Sequence, residues 1–215
     1  MGKVYDILSG VETFEFLPFP KKKYKIIYAD PNWKFKTYSD KGKGRSADKH
    51  YATNTLAELA SLPVESITDK DCALFMWVTD PMLINGLNLA HSWGFKFKTV
   101  AFTWVKQNRT KCGYWKNMGY WTRKNPEMVL LFTKGKPKRI NNNVEQLLIA
   151  MRREHSRKPD EIKKRIVDLM GDLPRIELFA RQSLDKSWDY WGNETTKFNA
   201  SDEEVAELDI EVEFD

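Results

Sequence analysis

The sequence predicts an α/β domain built on a mostly parallel, doubly wound sheet, and three observations support that prediction. Apolar runs rich in β-branched and aromatic residues recur along the chain at strand length. Segments with helical apolar spacing and their own capping residues lie between them. Two strands stop abruptly at Asp-Pro, at Asp30-Pro31 and at Asp80-Pro81, because the residue before a proline and the proline itself leave the ladder. Alternation of strand and helix favours parallel pairing, since each parallel connection needs a crossover.

Taken in order, residues 1–23 read as a lead-in segment. Phe14 to Pro20 is apolar but broken by Pro18 and Pro20, so irregular chain packed on the domain is expected, with Lys21, Lys22 and Lys23 solvated. Tyr24 to Ala29 is the first buried strand. Thr55 is a candidate N-cap for the helix Leu56–Ala60, with Glu58 completing a capping box. Asp71 to Thr79 is a second strand. Met82 to Trp93 has helical spacing at Leu83, Leu87 and Ala90 and ends at Gly94, a C-cap residue. Lys98–Lys106 and Glu127–Thr133 follow as strands, and Val144–Ala150 reads as a short strand or helical turn. Pro159, Asp160 and Glu161 suit the first turn of a helix running to Gly171. Arg175–Arg181 is a further strand, and Trp188–Glu194 closes the folded body with aromatics and a polar turn. The domain is expected to span residues 24–198, with a mobile acidic tail at 199–215.

A length of 215 residues suits one domain, and 41% hydrophobic with 30% charged residues describes a soluble globular protein. No apolar run is long enough to span a bilayer, and the N-terminus has no apolar signal core. With only Cys72, Cys112 and three histidines at no ligand-like spacing, a disulfide framework or a structural metal site is not expected, and a cytoplasmic location fits. The net charge of +5 conceals an asymmetry. Residues 201–215 hold eight acids and no base, so the remainder carries 35 basic residues against 22 acidic ones, a net +13. A body of that charge attracts polyanions, nucleic acid first.

Two polar segments interrupt the regular pattern. Residues 34–50 contain Lys36 and Arg45 among six lysines and arginines, together with Phe35 and Tyr38. Residues 107–125 carry five cations interleaved with Tyr114, Trp115, Tyr120 and Trp121. Cations neutralise phosphates and aromatic rings stack on bases, so both are candidate nucleic-acid contacts.

The strand Tyr24–Ala29 delivers Asp30, Pro31, Asn32 and Trp33 at its carboxyl end, where open α/β sheets bind ligands. The chemistry suits a planar amine. The Asp30 carboxylate and the Pro31 carbonyl can both accept from an NH2 group, and Trp33 can stack on the ring that carries it. The alternative is an ordinary strand exit with a solvated acid and a core indole. Lys158, at a helix start, offers an ammonium beside free backbone N–H groups to a carboxylate. Glu177, costly to bury in an apolar strand without a partner, sits where acids accept from ribose hydroxyls.

The order Asp-Pro-Asn-Trp, His-Tyr-x-Thr, Leu-Phe-Met-Trp-Val-Thr, Trp-Gly-Phe and Trp-Val-Lys resembles the METTL-type (MT-A) adenine methyltransferases. The resemblance continues through Glu-His-Ser-Arg-Lys-Pro-Asp-Glu, Ile-Glu-Leu-Phe-Ala-Arg and Trp-x-x-x-Gly-Asn and covers residues 24–194. Asn32 replaces the family's second proline. The chain looks like the short prokaryotic or phage DNA-methyltransferase type.

The resemblance implies a Rossmann-like class I fold with S-adenosyl-L-methionine as methyl donor. It assigns Asp30, Pro31, Asn32 and Trp33 to the catalytic motif, with Tyr51 near the target adenine. Lys158 would hold the donor's methionine carboxylate, Glu177 and Arg181 its ribose, and Asn193 its adenosine end, with Glu194 beside it and Asp30 also lining the site. Leu184 stands where some relatives hydrogen-bond the donor. Lys36, Arg45, Lys106, Tyr114, Trp115, Trp121 and Arg123 are the candidate substrate contacts on the basic segments. The expected reaction is N6-methylation of adenine in DNA by a non-membrane protein, as a homodimer. An RNA adenosine methyltransferase and a non-catalytic nucleic-acid-binding partner subunit are the two alternatives.

Overall fold

The computed structural model describes residues 3–5, 12–14, 16–33, 54–119, 121–154 and 156–199. Within the lead-in two short strands, β1 (Lys3–Tyr5) and β2 (Glu12–Phe14), pair antiparallel, and residues 16–20 are irregular as the sequence predicts. The body is a seven-stranded sheet of β3 (Tyr24–Ala29), β4 (Thr68–Val78), β5 (Lys96–Gln107), β6 (Glu127–Lys134), β7 (Leu147–Met151), β8 (Arg175–Leu178) and β9 (Asp189–Trp191). Their order across the sheet is β7-β5-β6-β4-β3-β8-β9.

The sheet is mixed, which corrects the expectation of parallel pairing at one strand. β3 pairs parallel with β4 and β8, β8 with β9, and β5 with β7. β6 alone runs against its neighbours β4 and β5. The physical reason lies in the connections. β5 and β6 are consecutive strands that lie side by side in the sheet, joined by residues 108–126, in which no described residue is helical. Without a crossover the chain must return as a hairpin. A consequence for the site is that the first residue of β6, Glu127, arrives at the end of the sheet where β3 and β4 finish.

Helices cover both faces. α1 (Leu56–Ala60) and α2 (Leu83–Ser92) pack on one side, where Tyr24, Ile27, Leu74, Met76, Leu89 and Trp93 form part of the core. α3 (Glu161–Met170) covers the other through Ile162, Ile166 and Met170 against Ile26, Phe75 and Phe102. Strand residues alternate between the two clusters, as a central strand buried on both faces requires. The predicted capping box of α1 is present: Thr55 Oγ1 accepts from Glu58 N at 3.2 Å and Thr55 N donates to Glu58 Oε2 at 2.6 Å. α2 ends at Trp93, with Gly94 following at φ +84.

Both ends of the body are fastened. Trp191 Nε1 donates to Leu17 O at 3.1 Å and its ring meets Phe19 at 4.6 Å, so the lead-in closes over β9. Lys22 is exposed as expected and also pairs with Asp189 at 2.7 Å. Phe198, placed at the edge of the acidic tail by the sequence, is buried, and Ser183 N donates to Asn199 Oδ1 at 3.0 Å. The folded body therefore reaches Asn199; residues 200–215 lie outside the described residues. Gly192 permits the close approach of the segment after β8. A Cβ there would stand 2.8 Å from both the backbone N and O of Ala180. Gly192→Ala is expected to lower unfolding stability by roughly 1–3 kcal/mol, measured by urea denaturation.

Candidate active site

The ends of β3, β4 and β8, the start of β6 and the entry to α3 meet around one chain of charges. Lys158 Nζ donates to Asp30 Oδ2 at 2.8 Å and lies 3.5 Å from Glu127 Oε2. Glu127 Oε1 in turn accepts from Lys106 Nζ at 2.6 Å. All four side chains are at most one-fifth exposed. Burial alone would raise the Glu127 carboxyl, but the Lys158 and Lys106 ammonium groups overcome it and hold it at about 2. Burial likewise disfavours the Lys158 cation, and Asp30 and Glu127 reverse that and raise it. Lys158 also lies over the Trp77 ring at 5.3 Å, and Trp77 Nε1 donates to the buried Tyr28 hydroxyl. Burial, then the Glu177 charge, pushes the Tyr28 hydroxyl well up, so it is a neutral phenol here.

Beside this chain lies a second pair. Lys163 Nζ donates to Glu177 Oε2 at 2.9 Å, and Lys163 sits over the Tyr190 ring at 5.2 Å. Register places Tyr28, Glu177 and Tyr190 side by side across β3, β8 and β9. Desolvation raises the Glu177 carboxyl, with Lys163 acting in the opposite direction. A cavity of about 30 Å³ joins the two pairs; Asp30, Lys158, Glu177, Phe179, Arg181 and Phe198 are among its walls. Asp160, Lys163 and Gln182 are shared with an adjoining cavity of about 460 Å³. The donors and acceptors fit an amino-acid and ribose bearing molecule: a cation for a carboxylate, acids for an ammonium and a diol.

The Asp-Pro-Asn-Trp turn is organised differently from the expectation. Pro31 O accepts from Trp33 N at 2.9 Å, which closes the turn. Trp33 is buried in the core on the α1 and α2 side, so its indole supports the turn and offers no open stacking face. The indole beneath the ion pair is Trp77. Asn32 Nδ2 donates to Asn54 Oδ1 at 2.6 Å, and Asn54 N donates to Asn32 O at 2.9 Å. The residue in place of proline thus fastens the chain where it leaves the turn to the point where it returns. Tyr51, Lys36 and Arg45 lie outside the described residues.

Other expected contacts divide. Arg181 lines the cavity and lies 3.7 Å from Glu194, which also holds Lys197 at 2.8 Å. Asn193 is exposed and is not among the residues lining either cavity. Lys106 is buried in its pair with Glu127 and lies against the Trp104 and Trp115 rings, so it braces the structure and is not a free phosphate contact. Trp115 is half-buried between Lys106 and Arg152. Tyr114, Trp121 and Arg123 are exposed. Glu127, Lys163 and Trp77 were not singled out by sequence. Glu127 carries the signal that marked Glu177, an acid in an apolar strand.

A family model for MT-A70 matches residues 24–194. The chain belongs to the MT-A70 family. Among its relatives, the Type II methyltransferase M.MunI of a Mycoplasma species is 41% identical over 196 residues, covering 83% of this chain and 81% of that protein. The human N(6)-adenosine-methyltransferase catalytic subunit METTL3 is 28% identical over 192 residues, 85% of this chain but 30% of its own length. An Arabidopsis thaliana MT-A70-like N(6)-adenosine-methyltransferase is 29% identical over 177 residues, 80% of this chain and 24% of its own. The MT-A70 match spans the strands that carry Asp30, Glu127 and Glu177 and the helix entry that carries Lys158.

Glu127 makes the MT-A70 core sensitive to acid. Its folded carboxyl lies below its unfolded value, so its stabilisation is present above about pH 4.5 and is lost as pH falls towards 2. Glu127→Gln is expected to be less stable at pH 7 by on the order of 3 kcal/mol. That deficit should shrink between pH 4.5 and 2, read from melting curves of both proteins. Asn32→Pro leaves the buried Asn54 carbonyl oxygen without its amide donor and is expected to cost about 1–2 kcal/mol, read by urea denaturation.

Proposed function

We propose that the protein is a DNA adenine N6-methyltransferase that uses S-adenosyl-L-methionine. The observation that carries this reading is the Asp30–Lys158 pair at the wall of a cavity that also presents Glu177 and Arg181. When bound, the donor supplies an electrophilic sulfonium methyl. Lys158 and Asp30 suit its methionine carboxylate and ammonium, and Glu177 and Arg181 its ribose, with Asn193 and Glu194 beyond them. The family's Rossmann-like class I fold is consistent with six strands in one direction and helices on both faces.

An adenine amine is a poor nucleophile because its nitrogen lone pair is delocalised into the ring. Asp30 Oδ and the Pro31 carbonyl can accept the two N–H protons and favour a more tetrahedral nitrogen with its lone pair free. With the donor's methyl supplied along the axis of that lone pair, Asp30 and the Pro31 carbonyl would hold the nitrogen in line to receive it. Asp30 Oδ, already accepting from one N–H, would take up the proton that the methylated amine gives up and pass it to solvent. Lys158, charged and shared between Asp30 and Glu127, can exchange one carboxylate for another without being left unpaired in a buried site. What remains is alignment and exclusion of water, worth several kcal/mol.

The share of M.MunI that this chain covers, and that protein's description as a type II methyltransferase, favour DNA over RNA. The acid-free segment 108–124 carries five cations, of which Arg109, Lys111, Lys116 and Arg123 are exposed to a duplex. Incubation with tritiated S-adenosyl-L-methionine and either DNA or RNA tests the reading. Label is expected in DNA adenine and is expected to vanish in Asp30→Ala, a loss of at least about 10³-fold by analogy with removal of a preorganised acceptor. Label in RNA alone would move the assignment to an adenosine methyltransferase of messenger type.

A further inference from the structure

We propose that Trp121 is a wedge that enters the base stack beside the target adenine and holds open the gap left when that base turns out of the duplex. The inference rests on the DNA-methyltransferase reading above and assigns a positioning role to one residue of the β5–β6 connection.

The connection is rigid where it joins the site and bare at its tip. At its root Asn125 Oδ1 accepts from Lys106 N at 3.0 Å, and Asn125 Nδ2 donates to Lys106 O and to Trp115 O. Trp115 is held between the Lys106 and Arg152 cations, each 5.3 Å from the ring. Because Lys106 also pairs with Glu127, and Glu127 faces Lys158, only three side chains separate the root from Asp30. Further out the arm closes as a second small hairpin, in which Asn117 N donates to Lys124 O at 2.9 Å and Lys124 N donates to Asn117 O at 3.1 Å. A Cβ on Gly119 would stand 2.6 Å from Thr122 O, so the tip turn is tight.

At that tip Trp121 is fully exposed, and its φ is +64. A bulky side chain in the left-handed region is strained, because its Cβ crowds the following carbonyl. Exposure of an indole to water forgoes the burial that places tryptophan in cores or interfaces. Both costs are borne by one residue, on a turn whose shape directs the ring outwards. The ligand chemistry is set by the surroundings. Residues 108–124 carry Arg109, Lys111, Lys116, Arg123 and Lys124 and no acid, and Met118 and Tyr114 are exposed beside them. A flat π surface within acid-free positive charge fits a base stack between phosphates. Side chains inserted between base steps unstack them and offset the cost of extruding a neighbour.

The test uses a duplex containing the adenine context that the protein methylates in cells expressing it. Fluorescence of 2-aminopurine at the target position reports extrusion, and tritium transfer reports catalysis. Wild type is expected to brighten the probe. Trp121→Ala and Trp121→Gly (the second compatible with the positive φ) are expected to lose that signal and about tenfold or more in kcat/KM on the paired duplex. On a duplex with an abasic site opposite the target, where little pairing must be broken, both should recover to within about threefold of wild type. Trp121→Phe should retain most of the signal, and affinity for S-adenosyl-L-methionine should be unchanged in all three. Equal losses on paired and abasic-opposed duplexes would make Trp121 a simple binding contact and overturn the wedge, as would no loss on either. If wild type transfers label to no DNA, the underlying function falls and the wedge with it. If Asp30→Ala alone is inactive while the Trp121 variants match wild type, only the wedge falls.

Discussion

The ion pair between Lys158 and Asp30 ties the end of a central strand to the entry of the helix that crosses one face of the sheet. Each partner offsets the desolvation of the other, at a depth where an unpaired charge costs several kcal/mol. The pair therefore fixes where α3 begins relative to β3, and through α3 where Lys163 meets Glu177. Glu127 makes the arrangement more than a pair. With two carboxylates in reach, Lys158 keeps a counter-charge when Asp30 turns to another hydrogen-bond donor. A site built this way can alter its internal pairing without exposing an uncompensated charge.

That third partner exists because one strand is reversed. Had β6 run with its neighbours, Glu127 would stand at the opposite edge of the sheet, some 20 Å away for a strand of this length. The reversal goes with a β5–β6 connection that returns beside β5 as a hairpin, and the same connection forms the arm that carries Trp121. One local property of the chain thus supplies an acid to the interior of the site and an aromatic tip to its exterior. The Asn32–Asn54 pair plays a related part on the other side of Asp30. There the chain leaves the turn and returns to it at adjacent points, so the ends of the intervening segment are fixed by backbone and side-chain hydrogen bonds together.

Much of this was legible in the sequence where local rules dominate. The capping box at Thr55 and Glu58, the stop at Gly94 and the strands ending at Asp-Pro are decided within a few residues. Asp30, Lys158, Glu177 and Arg181 were legible because each stands at the end of a recognisable strand or helix, and the fold brings such ends together. The reversed direction of β6 was not, because periodicity marks a strand without its direction. Nor did the sequence show the pairing of Lys106, or decide between the core and ligand-facing readings of Trp33: a lysine at a strand end and an indole after a turn look alike whether they brace the core or face a ligand. Which they do depends on long-range partners, Glu127 for the one and the α1 and α2 core for the other. The β9 strand escaped notice at three residues, too short for alternation to register.

The distribution of cations completes the argument about substrate. A net +13 outside the acidic tail does not itself define a surface for a polyanion, because several of these cations are already neutralised. Lys106, Lys158 and Lys163 neutralise buried carboxylates, and Arg175 pairs with Asp172 while lying over Trp188. Charges satisfied in low dielectric contribute little to the field that a phosphate backbone meets from outside. The cations of residues 108–124 have no acidic neighbour in their own segment to cancel them. Of these cations Arg109, Lys111, Lys116 and Arg123 are exposed, on the β5–β6 hairpin that leads into Glu127. A duplex drawn there by its phosphates would come to rest with its bases, and not merely its backbone, within reach of the site.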